Sequence, residues 1–318
     1  MISVVISIYL PKRKFDMFAT QTRKGNIMTC NLCPRKCGID RKTATGWCKM
    51  GEKIKIAKVM LHQWEEPCIC TGNGSGAIFF SGCSLKCVYC QNREISHEGY
   101  GVEYTVEELA KEMLHLQEQG ACNINLVTPT HYADKIREAL DLIRNELKIP
   151  VVYNTSGYEL DTEIQKMADY VDVFLTDFKY FSPDIAQKYS KAKDYYQVAK
   201  KALAAMLEIA PQCIFDKNGA MQSGVIVRHL VLPTGRRDSI ALLEDLAKSF
   251  DTRSFKLSLM AQYTPEWTDT AYPELCRKIT TFEYQSVVDK AISLGFDGYI
   301  QDKSASSVKY TPKFKDKP

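Results

Sequence analysis

The chain has 318 residues, of which 45% are hydrophobic and 25% charged; this composition supports a sizeable core and excludes global disorder. Its 42 basic and 38 acidic residues give a net charge of +4, which argues against nucleic acid or an anionic membrane as the main partner. Its twelve cysteines cluster at C-x2-C and C-x3-C spacings, which are typical of metal binding in a reducing compartment such as the cytoplasm.

The chain begins with an apolar run, MISVVISIYL. The run is too short to span a bilayer, and no small-residue cleavage site follows it. We interpret residues 1–27 as an N-terminal extension of uncertain role. The next segment, 28–75, is rich in Cys, Gly and Lys and has little periodicity.

Four cysteines of segment 28–75 form the pattern C-x2-C-x3-C-x10-C; they are Cys30, Cys33, Cys37 and Cys48. Four thiols within nineteen residues, separated by Gly and Pro, predict a metal site. A structural zinc is the first choice, because four ligands close a tetrahedral site. A second iron–sulfur cluster and free thiols are the alternatives.

Strand-like and helical patterns alternate over residues 76–302, which we predict as one folded core. The predicted strands are 77–82, 123–128, 150–156, 171–177, 224–231 and 255–262. The predicted helices are 105–119, 132–147, 160–169, 194–209, 238–249 and 283–294. Six alternations predict an α/β fold with a parallel sheet, either open or curled into a barrel. Residues 303–318, rich in Lys, Ser and Pro, are predicted as a disordered tail.

Two local signals support this division. Thr105 and Glu108 form the pattern of a capping box at the start of the first predicted helix. The predicted strands are continuous Val-, Ile-, Leu- and Phe-rich runs, as strands buried on both faces are.

In a parallel sheet, functional side chains follow the strands, because all the carboxyl ends meet at one edge. Polar residues do gather directly after the predicted strands. These positions are Ser81 to Cys90, Thr128 to His131, Asn154 to Gly157, Asp177 to Lys179, Arg228 with His229, and Gln262 with Tyr263.

Three cysteines, Cys83, Cys87 and Cys90, follow the first predicted strand in FFSGCSLKCVYCQN. Three thiolates are one too few for a structural zinc or for an electron-transfer [4Fe–4S] cluster. A cluster held by three leaves one iron with an open position, where a substrate binds. The alternatives are three structural thiols, or a zinc site completed by His97 or a distant cysteine.

The C-x3-C-x2-C motif after the first strand resembles the signature of the radical SAM superfamily. With NINLVTPTHY, PVVYNTSGYE, VDVFLTDFKY and VIVRHLVLPTG, it resembles the uncharacterised relatives of pyruvate formate-lyase activating enzyme, from about Cys30 to Gln301. The resemblance implies a partial (β/α)6 TIM-like barrel that follows the Cys-rich segment. It also implies a [4Fe–4S] cluster whose free iron binds S-adenosylmethionine (SAM) and cleaves it reductively to a 5′-deoxyadenosyl radical, which abstracts hydrogen.

The resemblance further implies partners. A one-electron donor such as flavodoxin or ferredoxin would reduce the cluster, and the substrate would be a glycyl radical enzyme or another protein. A radical SAM enzyme acting on a small molecule is one alternative. An iron–sulfur or zinc protein that binds a partner without chemistry is another.

Several site residues follow from the resemblance, position by position. Tyr89 stands where an aromatic residue adjoins the adenine, and Asn92 where a side chain hydrogen-bonds near the cluster. Thr128 and Thr130 occupy the place of a Gly-Gly-Glu element, so hydroxyls and carbonyls replace the carboxylate that holds the methionine ammonium.

The third and fourth strands end in NTSG and DFK, which resemble elements of activating enzymes. Lys179 would lie near the SAM carboxylate, where a compact cation is favourable. Asp177, Asn154 and Thr155 would be its polar neighbours, arranged around a monovalent cation.

Arg228 lies inside an apolar run, where an unpaired charge is unfavourable, so it predicts a SAM contact or an ion network. His229 points to the other face of the strand and is predicted to be structural. Gln262 stands where an activating enzyme carries a SAM-contacting histidine; a solvent-facing strand end is the alternative.

The remaining cysteines are isolated. We do not expect Cys68 and Cys70 to bind metal. Cys122, Cys213 and Cys276 are predicted to be small core residues.

Overall fold

The computed structural model describes residues 29–69, 71–302 and 312–314. The predicted N-terminal extension, Cys70 and the predicted tail apart from residues 312–314 lie outside the described residues. The described strands are β1 Ile54–His62, β2 Ser75–Phe80, β3 Val102–Tyr104, β4 Ile124–Val127, β5 Val151–Thr155, β6 Val173–Asp177, β7 Ile214–Phe215, β8 Met221–Leu230, β9 Lys256–Met260 and β10 Gly298–Ile300.

The described helices are α1 Arg93–Ser96, α2 Val106–Glu118, α3 Ala133–Leu142, α4 Asp161–Gln165, α5 Pro183–Ser190, α6 Tyr195–Ile209, α7 Arg236–Ser249 and α8 Thr281–Ser293. No helix within the described ranges is long and apolar enough to cross a membrane.

One sheet organises the molecule, with the strand order β10-β9-β8-β6-β5-β4-β2-β1-β3. The seven strands from β10 to β2 are parallel, whereas β1 pairs antiparallel with both β2 and β3. The two end strands of this order, β10 and β3, are not paired with each other, so the sheet is open. The predicted fold class, a partial barrel with parallel strands, is therefore confirmed.

All six predicted strands are present, as β2, β4, β5, β6, β8 and β9. Both faces of these strands are buried. Tyr153 and Phe174 belong to the main core together with helix residues such as Ile164, whereas Val152 and Leu175 pack on the opposite face. This two-sided burial explains why the runs are continuously apolar rather than alternating.

The six predicted helices are also present, with differences in length. The predicted capping box forms at α2: Thr105 Oγ1 accepts from the Glu108 amide, and the Glu108 carboxylate accepts from the Thr105 amide. Helix α3 ends at Leu142 rather than 147, because a turn in which the Glu146 and Leu147 amides both donate to the Ile143 carbonyl follows it. Helix α4 is likewise shorter than predicted, and α1 and α5 were not predicted.

Strand β1 was not predicted, and it lies inside the predicted Cys-rich segment. Strand β1 pairs with β2 from Ile56 to His62, so this part of the segment belongs to the sheet. Lysines at 55 and 58 interrupt its apolar pattern, which hid the strand from the periodicity argument. The short strand β10 also extends the sheet beyond the six predicted strands.

The loop between β1 and β2 folds against the inner face of the sheet. It starts near His62 and ends near Ser75, which are paired at the amino end of β2. Cys68 and Ile69 are buried there in one cluster with the inner residues Val152 and Leu175. The loop therefore supplies side chains to the inside of the partial barrel.

Candidate functional site

A cavity of about 240 Å³ lies at the carboxyl ends of the parallel strands. Cys83, Cys87 and Cys90 line it. So do nine of the ten residues predicted to contact the cofactor: Tyr89, Asn92, Thr128, Asn154, Thr155, Asp177, Lys179, Arg228 and Gln262. The tenth, Thr130, is not among the described residues that line the cavity.

The cysteine loop begins at Gly82, directly after β2. Gly82 has a φ of +86°, and a Cβ there would lie 2.4 Å from the Met50 side chain and 2.8 Å from the Cys48 carbonyl. Only glycine fits this turn, because the N-terminal cysteine segment packs against it. The turn directs Cys83 into the cavity.

Each sulfur of the cysteine loop has a hydrogen-bond partner. The Leu85 amide donates to Cys83 Sγ at 3.4 Å. Cys87 Sγ lies 3.0 Å from Ser190 Oγ, and Cys90 Sγ lies 3.2 Å from Ser96 Oγ.

Burial raises the pKa of the Cys83 thiol to about 12 and also raises the pKa of the Cys87 thiol. These buried thiols stay protonated unless a cationic group takes the place of the protons.

His97, which is one candidate for the fourth ligand of the alternative zinc site, is not among the described residues that line the cavity. Burial, together with the neighbouring charges of Lys86 and Arg93, lowers the pKa of His97 to about 4. In the described part of the chain, no three His, Cys, Asp or Glu side chains are arranged to hold one metal ion.

Asp177 joins two buried cations at the end of β6. Its Oδ2 lies 2.6 Å from Lys179 Nζ, and its Oδ1 lies 2.9 Å from Arg228 Nε. Burial alone would raise the pKa of Asp177, but the charges of Arg228 and Lys179 outweigh it and hold the pKa below its ordinary value. Asp177 is therefore ionised. It is also the charged partner that the sequence predicted for Arg228.

Glu65, from the β1–β2 loop, brings a second carboxylate into the cavity. Its Oε1 accepts from Asn125 Nδ2 at 3.0 Å and from Asn154 Nδ2 at 3.3 Å. Its Oε2 lies 3.4 Å from Arg228 Nη1, a longer ion pair than those of Asp177. Arg228 Nη2 also donates to Asn154 Oδ1 at 2.6 Å, so Glu65, Asn154 and Arg228 are connected to one another.

The neighbouring Glu66 is buried and has an oxygen, Oε2, without a hydrogen-bond partner among the described residues. Burial raises its pKa to about 7. The pair of acids in the sequence QWEEP was the one available signal for these residues. The signal was missed because a loop before the first predicted strand gave no reason to place them inside the barrel.

Thr128 stands at the end of β4 with a φ of +61°, a left-handed conformation that is uncommon for residues other than glycine. Its amide donates to the Asn154 carbonyl at 2.8 Å. Thr130 turns away and donates its hydroxyl to the buried carboxyl of Glu159, as does Thr155. Thr128 therefore lines the cavity, whereas the hydroxyls of Thr130 and Thr155 both face Glu159.

The strand ends are held in place by a tyrosine clamp. The Tyr195 hydroxyl donates to the Ser156 carbonyl at 2.7 Å and accepts from the Lys179 amide at 3.0 Å. Gly157 allows this close approach, since a Cβ there would lie 2.2 Å from the Asp177 carbonyl. Both ring nitrogens of His229 are hydrogen-bonded, one to the Phe178 carbonyl and the other to the Ser239 hydroxyl, which agrees with its predicted structural role.

The remaining predicted contacts lie on the cavity wall. Tyr89 is buried, and its hydroxyl lies 2.5 Å from that of Tyr180. Asn92 precedes α1, and its buried Oδ1 has no partner among the described residues. Gln262 accepts from Gln301 Nε2 at 3.2 Å, so it is tied to the segment after β10 rather than free in solvent.

The four N-terminal cysteines form a separate group outside the cavity. Cys33 and Cys48 are buried, and Cys30 and Cys37 are half-buried. Gly46 separates two of them: a Cβ there would lie 3.3 Å from Cys37 Sγ and 3.7 Å from Cys48 Sγ. The sulfurs of Cys37 and Cys48 therefore both lie beside Gly46.

Arg35 connects this group to the cysteine loop. Its Nε donates to the Ser84 carbonyl at 2.8 Å, and its guanidinium stacks over Trp47 at 4.5 Å.

Among the other cysteines, Cys68 is buried in the inner core and Cys122 and Cys213 are half-buried. Cys276 is exposed, so its prediction as a core residue is wrong. It follows a short 3₁₀ turn, Pro273–Leu275, on the surface rather than a buried strand.

Comparisons with known proteins agree with the cysteine motif. Residues 77–215 match the family model of the radical SAM superfamily, which confirms the predicted resemblance. An uncharacterized protein of Methanocaldococcus jannaschii is 28% identical over 86% of this chain and 77% of its own length. Pyruvate formate-lyase 1-activating enzyme of Escherichia coli K12 is 27% identical over 40% of this chain and 54% of its own length.

Among solved structures, Streptococcus suis SuiB bound to the precursor peptide SuiA is 12% identical, with a TM-score of 0.47. The match covers 69% of this chain and 46% of SuiB, so the chain spans about half the length of that protein.

Proposed function

We propose that this protein is a radical SAM enzyme that holds a [4Fe–4S] cluster on Cys83, Cys87 and Cys90 and binds SAM in the adjoining cavity. Held on these cysteines and reduced by one electron, the cluster would supply the electron that splits SAM into methionine and a 5′-deoxyadenosyl radical, and this radical would take a hydrogen atom from the substrate. The observation that carries the proposal is a set of three thiols at the wall of a cavity lined by paired charges.

The residues present fit these groups. Soft thiolates are the ligands that iron–sulfur clusters prefer. The methionine part of SAM carries an ammonium group, which needs a negatively charged acceptor, and a carboxylate, which needs a positively charged partner. The cavity offers both. Lys179 and Arg228 would hold the carboxylate, and Asp177 and Glu65 are the carboxylates able to accept from the ammonium.

Other residues would orient SAM and exclude water. Tyr89 would lie against the adenine, and the orphaned oxygen of Asn92 is a free acceptor at the cavity wall. Thr128, which lines the cavity, would offer its hydroxyl and its backbone carbonyl to the ammonium group. Asn154, which accepts from Arg228, would be a polar neighbour of Asp177, whereas the Thr155 hydroxyl is committed to Glu159.

The test is anaerobic reconstitution with iron and sulfide, followed by an assay of 5′-deoxyadenosine. The triple variant Cys83→Ala, Cys87→Ala, Cys90→Ala should bind about four fewer irons per chain and should make no 5′-deoxyadenosine. The matched control is Cys122→Ala, Cys213→Ala, Cys276→Ala, which removes three thiols away from the cavity. A triple cavity variant that still cleaves SAM would contradict the proposal.

For the substrate, we propose a protein, with activation of a glycyl radical enzyme as the first candidate. The support is the likeness to pyruvate formate-lyase 1-activating enzyme, whose 27% identity extends over 135 residues. A small-molecule substrate is the alternative. Anaerobic incubation of the loaded enzyme with candidate glycyl radical enzymes, read by the glycyl radical signal in electron paramagnetic resonance, separates the two.

The cluster requires a one-electron donor, and flavodoxin or ferredoxin is the class we propose. Such chemistry requires a reducing compartment, for which we propose the cytoplasm.

We also propose a metal at Cys30, Cys33, Cys37 and Cys48; their side chains would have to close around it, because in the described structure they are not arranged to hold one ion. A structural zinc is the first choice, and a second iron–sulfur cluster is the alternative. Elemental analysis of protein purified without reconstitution decides between them: about one zinc per chain supports the first, and extra iron without zinc supports the second.

A further inference from the structure

Two serine hydroxyls touch the sulfurs of the cysteine loop. Ser190, the last residue of α5, is fully buried, and its Oγ lies 3.0 Å from Cys87 Sγ. Ser96, the last residue of α1, is also buried, and its Oγ lies 3.2 Å from Cys90 Sγ. The serines come from two helices that the sequence analysis did not predict.

We propose that Ser190 and Ser96 set the reduction potential of the cluster by donating hydrogen bonds to its thiolates. This inference rests on the proposed function, because it requires a cluster on Cys87 and Cys90. A thiolate has no proton, so in each pair the hydroxyl must be the donor. Hydrogen bonds to the sulfurs are one of the factors that set the potential of iron–sulfur clusters.

The Ser190 contact is the end of a longer chain of hydroxyls. Ser190 Oγ lies 2.7 Å from the Tyr180 hydroxyl, which lies 2.5 Å from the Tyr89 hydroxyl. Once Ser190 donates to Cys87, its oxygen is left to accept from Tyr180, and Tyr180 in turn accepts from Tyr89. All the donors then point toward the sulfur, and hydrogen bonds aligned in this way strengthen one another.

The direction of the effect follows from charge. Adding an electron makes the cluster more negative, so a hydrogen bond to its thiolate stabilises the reduced state more than the oxidised state. Both serines therefore raise the potential and make the cluster easier to reduce. Because the chain starts at Tyr89, which lines the cavity, a change of polarity in the cavity would also reach the sulfur through the same hydroxyls.

The experiment is a redox titration of the anaerobically loaded protein without SAM, following the reduced cluster by electron paramagnetic resonance. In Ser190→Ala, the ratio of reduced to oxidised cluster at a fixed potential should fall about tenfold, a shift of about 59 mV to lower potential for one electron. Ser96→Ala should shift the potential in the same direction. Tyr180→Phe, which keeps the ring volume, should give a smaller shift of the same sign.

Ser84→Ala is the matched control. Ser84 lies between Cys83 and Cys87 and is buried, and its hydroxyl has no hydrogen-bond partner within the described residues. Its removal should leave the potential unchanged. If Ser190→Ala takes up no iron, Tyr180→Phe provides the test: a shift to lower potential supports the inference, and no shift or a shift to higher potential contradicts it.

The outcomes separate the two proposals. A wild-type protein that takes up no [4Fe–4S] cluster overturns the proposed function itself. Fully loaded serine and Tyr180 variants with wild-type potentials overturn only the inference. A potential that falls equally in Ser84→Ala also overturns it, because the effect then comes from packing rather than from the hydroxyl bond.

Discussion

Lys179 and Arg228 share the carboxylate of Asp177 in a site largely closed to solvent. Their side chains are 17% and 14% exposed, and that of Asp177 is 16% exposed. Removing one member of such a buried network leaves its partners uncompensated, which is more unfavourable than losing a surface pair. The network therefore fixes the position of Lys179 before any ligand binds, and that preorganisation favours recognition of a carboxylate.

We predict that Lys179→Ala weakens SAM binding about tenfold or more, which corresponds to ~1.4 kcal/mol. The reason is the loss of a positive charge that we propose to pair with the SAM carboxylate. The measurement is calorimetry on anaerobically loaded wild type and variant, with cluster iron checked in both. Lys188→Ala, which removes a largely exposed lysine paired with Glu274, is the control and should leave the affinity unchanged. An unchanged affinity in Lys179→Ala would show that Lys179 has no part in SAM binding.

Glu65 is the cavity residue that only the structure could supply. Its three contacts, with Asn125, Asn154 and Arg228, connect residues 60 to 163 positions apart in the chain. Such separations leave no trace in local spacing. By contrast, Asp177, Lys179 and Arg228 could be predicted, because each lies in or just after a strand whose apolar run is visible in the sequence.

For Glu65→Gln we expect a loss of about 1–3 kcal/mol in the free energy of unfolding. The Gln carbonyl can still accept from both asparagines. Its NH2 group, however, is a hydrogen-bond donor and would lie against the Arg228 guanidinium, which also donates, so the ion pair is lost. Urea unfolding of the metal-free protein measures the change. Glu138→Gln removes half of a surface pair with Lys135 and should change stability by less than about 1 kcal/mol. Equal losses in the two variants would refute the role assigned to Glu65.

Elements with strong, uninterrupted patterns were predictable, and elements defined by their partners were not. Strands β2, β4, β5 and β6 are buried on both faces, so apolar composition alone revealed them. Strand β1 is only half-buried along most of its length and carries lysines, so nothing in its own sequence distinguished it from a loop.

Helix α5 did carry a signal, with Ser182 as cap and Pro183 at its first turn, but it spans only eight residues. The sequence analysis placed no element there. The contact of its last residue, Ser190, with the cysteine loop was therefore not predicted.

The folding of the N-terminal cysteine segment should depend on the metal proposed there. Cys30→Ser with Cys33→Ser should then release that metal and make residues 29–50 more sensitive to proteolysis, because metal binding supplies much of the folding energy of such loop-rich segments. The iron held at Cys83 should remain. Cys276→Ser, which changes an exposed thiol, is the control and should alter neither metal content nor cleavage. Cleavage rates equal to wild type would count against a structural metal.

The whole molecule explains why one edge of the sheet carries the site. Seven parallel strands end on the same side, so polar residues that are far apart in sequence are brought around one cavity. This convergence is a property of topology and was predictable from the β/α alternation. The closure of the inner face by the β1–β2 loop was not predictable, because it depends on long-range packing of Cys68 and Ile69.

The last prediction concerns the pH dependence of global stability. Glu159 is buried, and burial raises its pKa from 4.5 to about 7. Its Oε1 accepts from Thr130 and Thr155, and its Oε2 has no partner among the described residues. Between pH 4.5 and 7 the unfolded chain ionises this group while the folded protein keeps it protonated. The folded state therefore binds more protons, and the free energy of unfolding falls as the pH rises through this window.

Glu159→Gln should remove this dependence, since the amide keeps an acceptor for both threonine hydroxyls and cannot ionise. We expect the variant and the wild type to be equally stable near pH 4.5, and the variant to be more stable above pH 7 by up to about 3 kcal/mol. Glu66, whose pKa is also raised to about 7, is present in both proteins, so the difference between them isolates Glu159. Urea unfolding at several pH values from 4.5 to 8 measures it, with the exposed Glu118→Gln as control. A difference that stays constant across this range would mean that Glu159 is ionised in the folded protein.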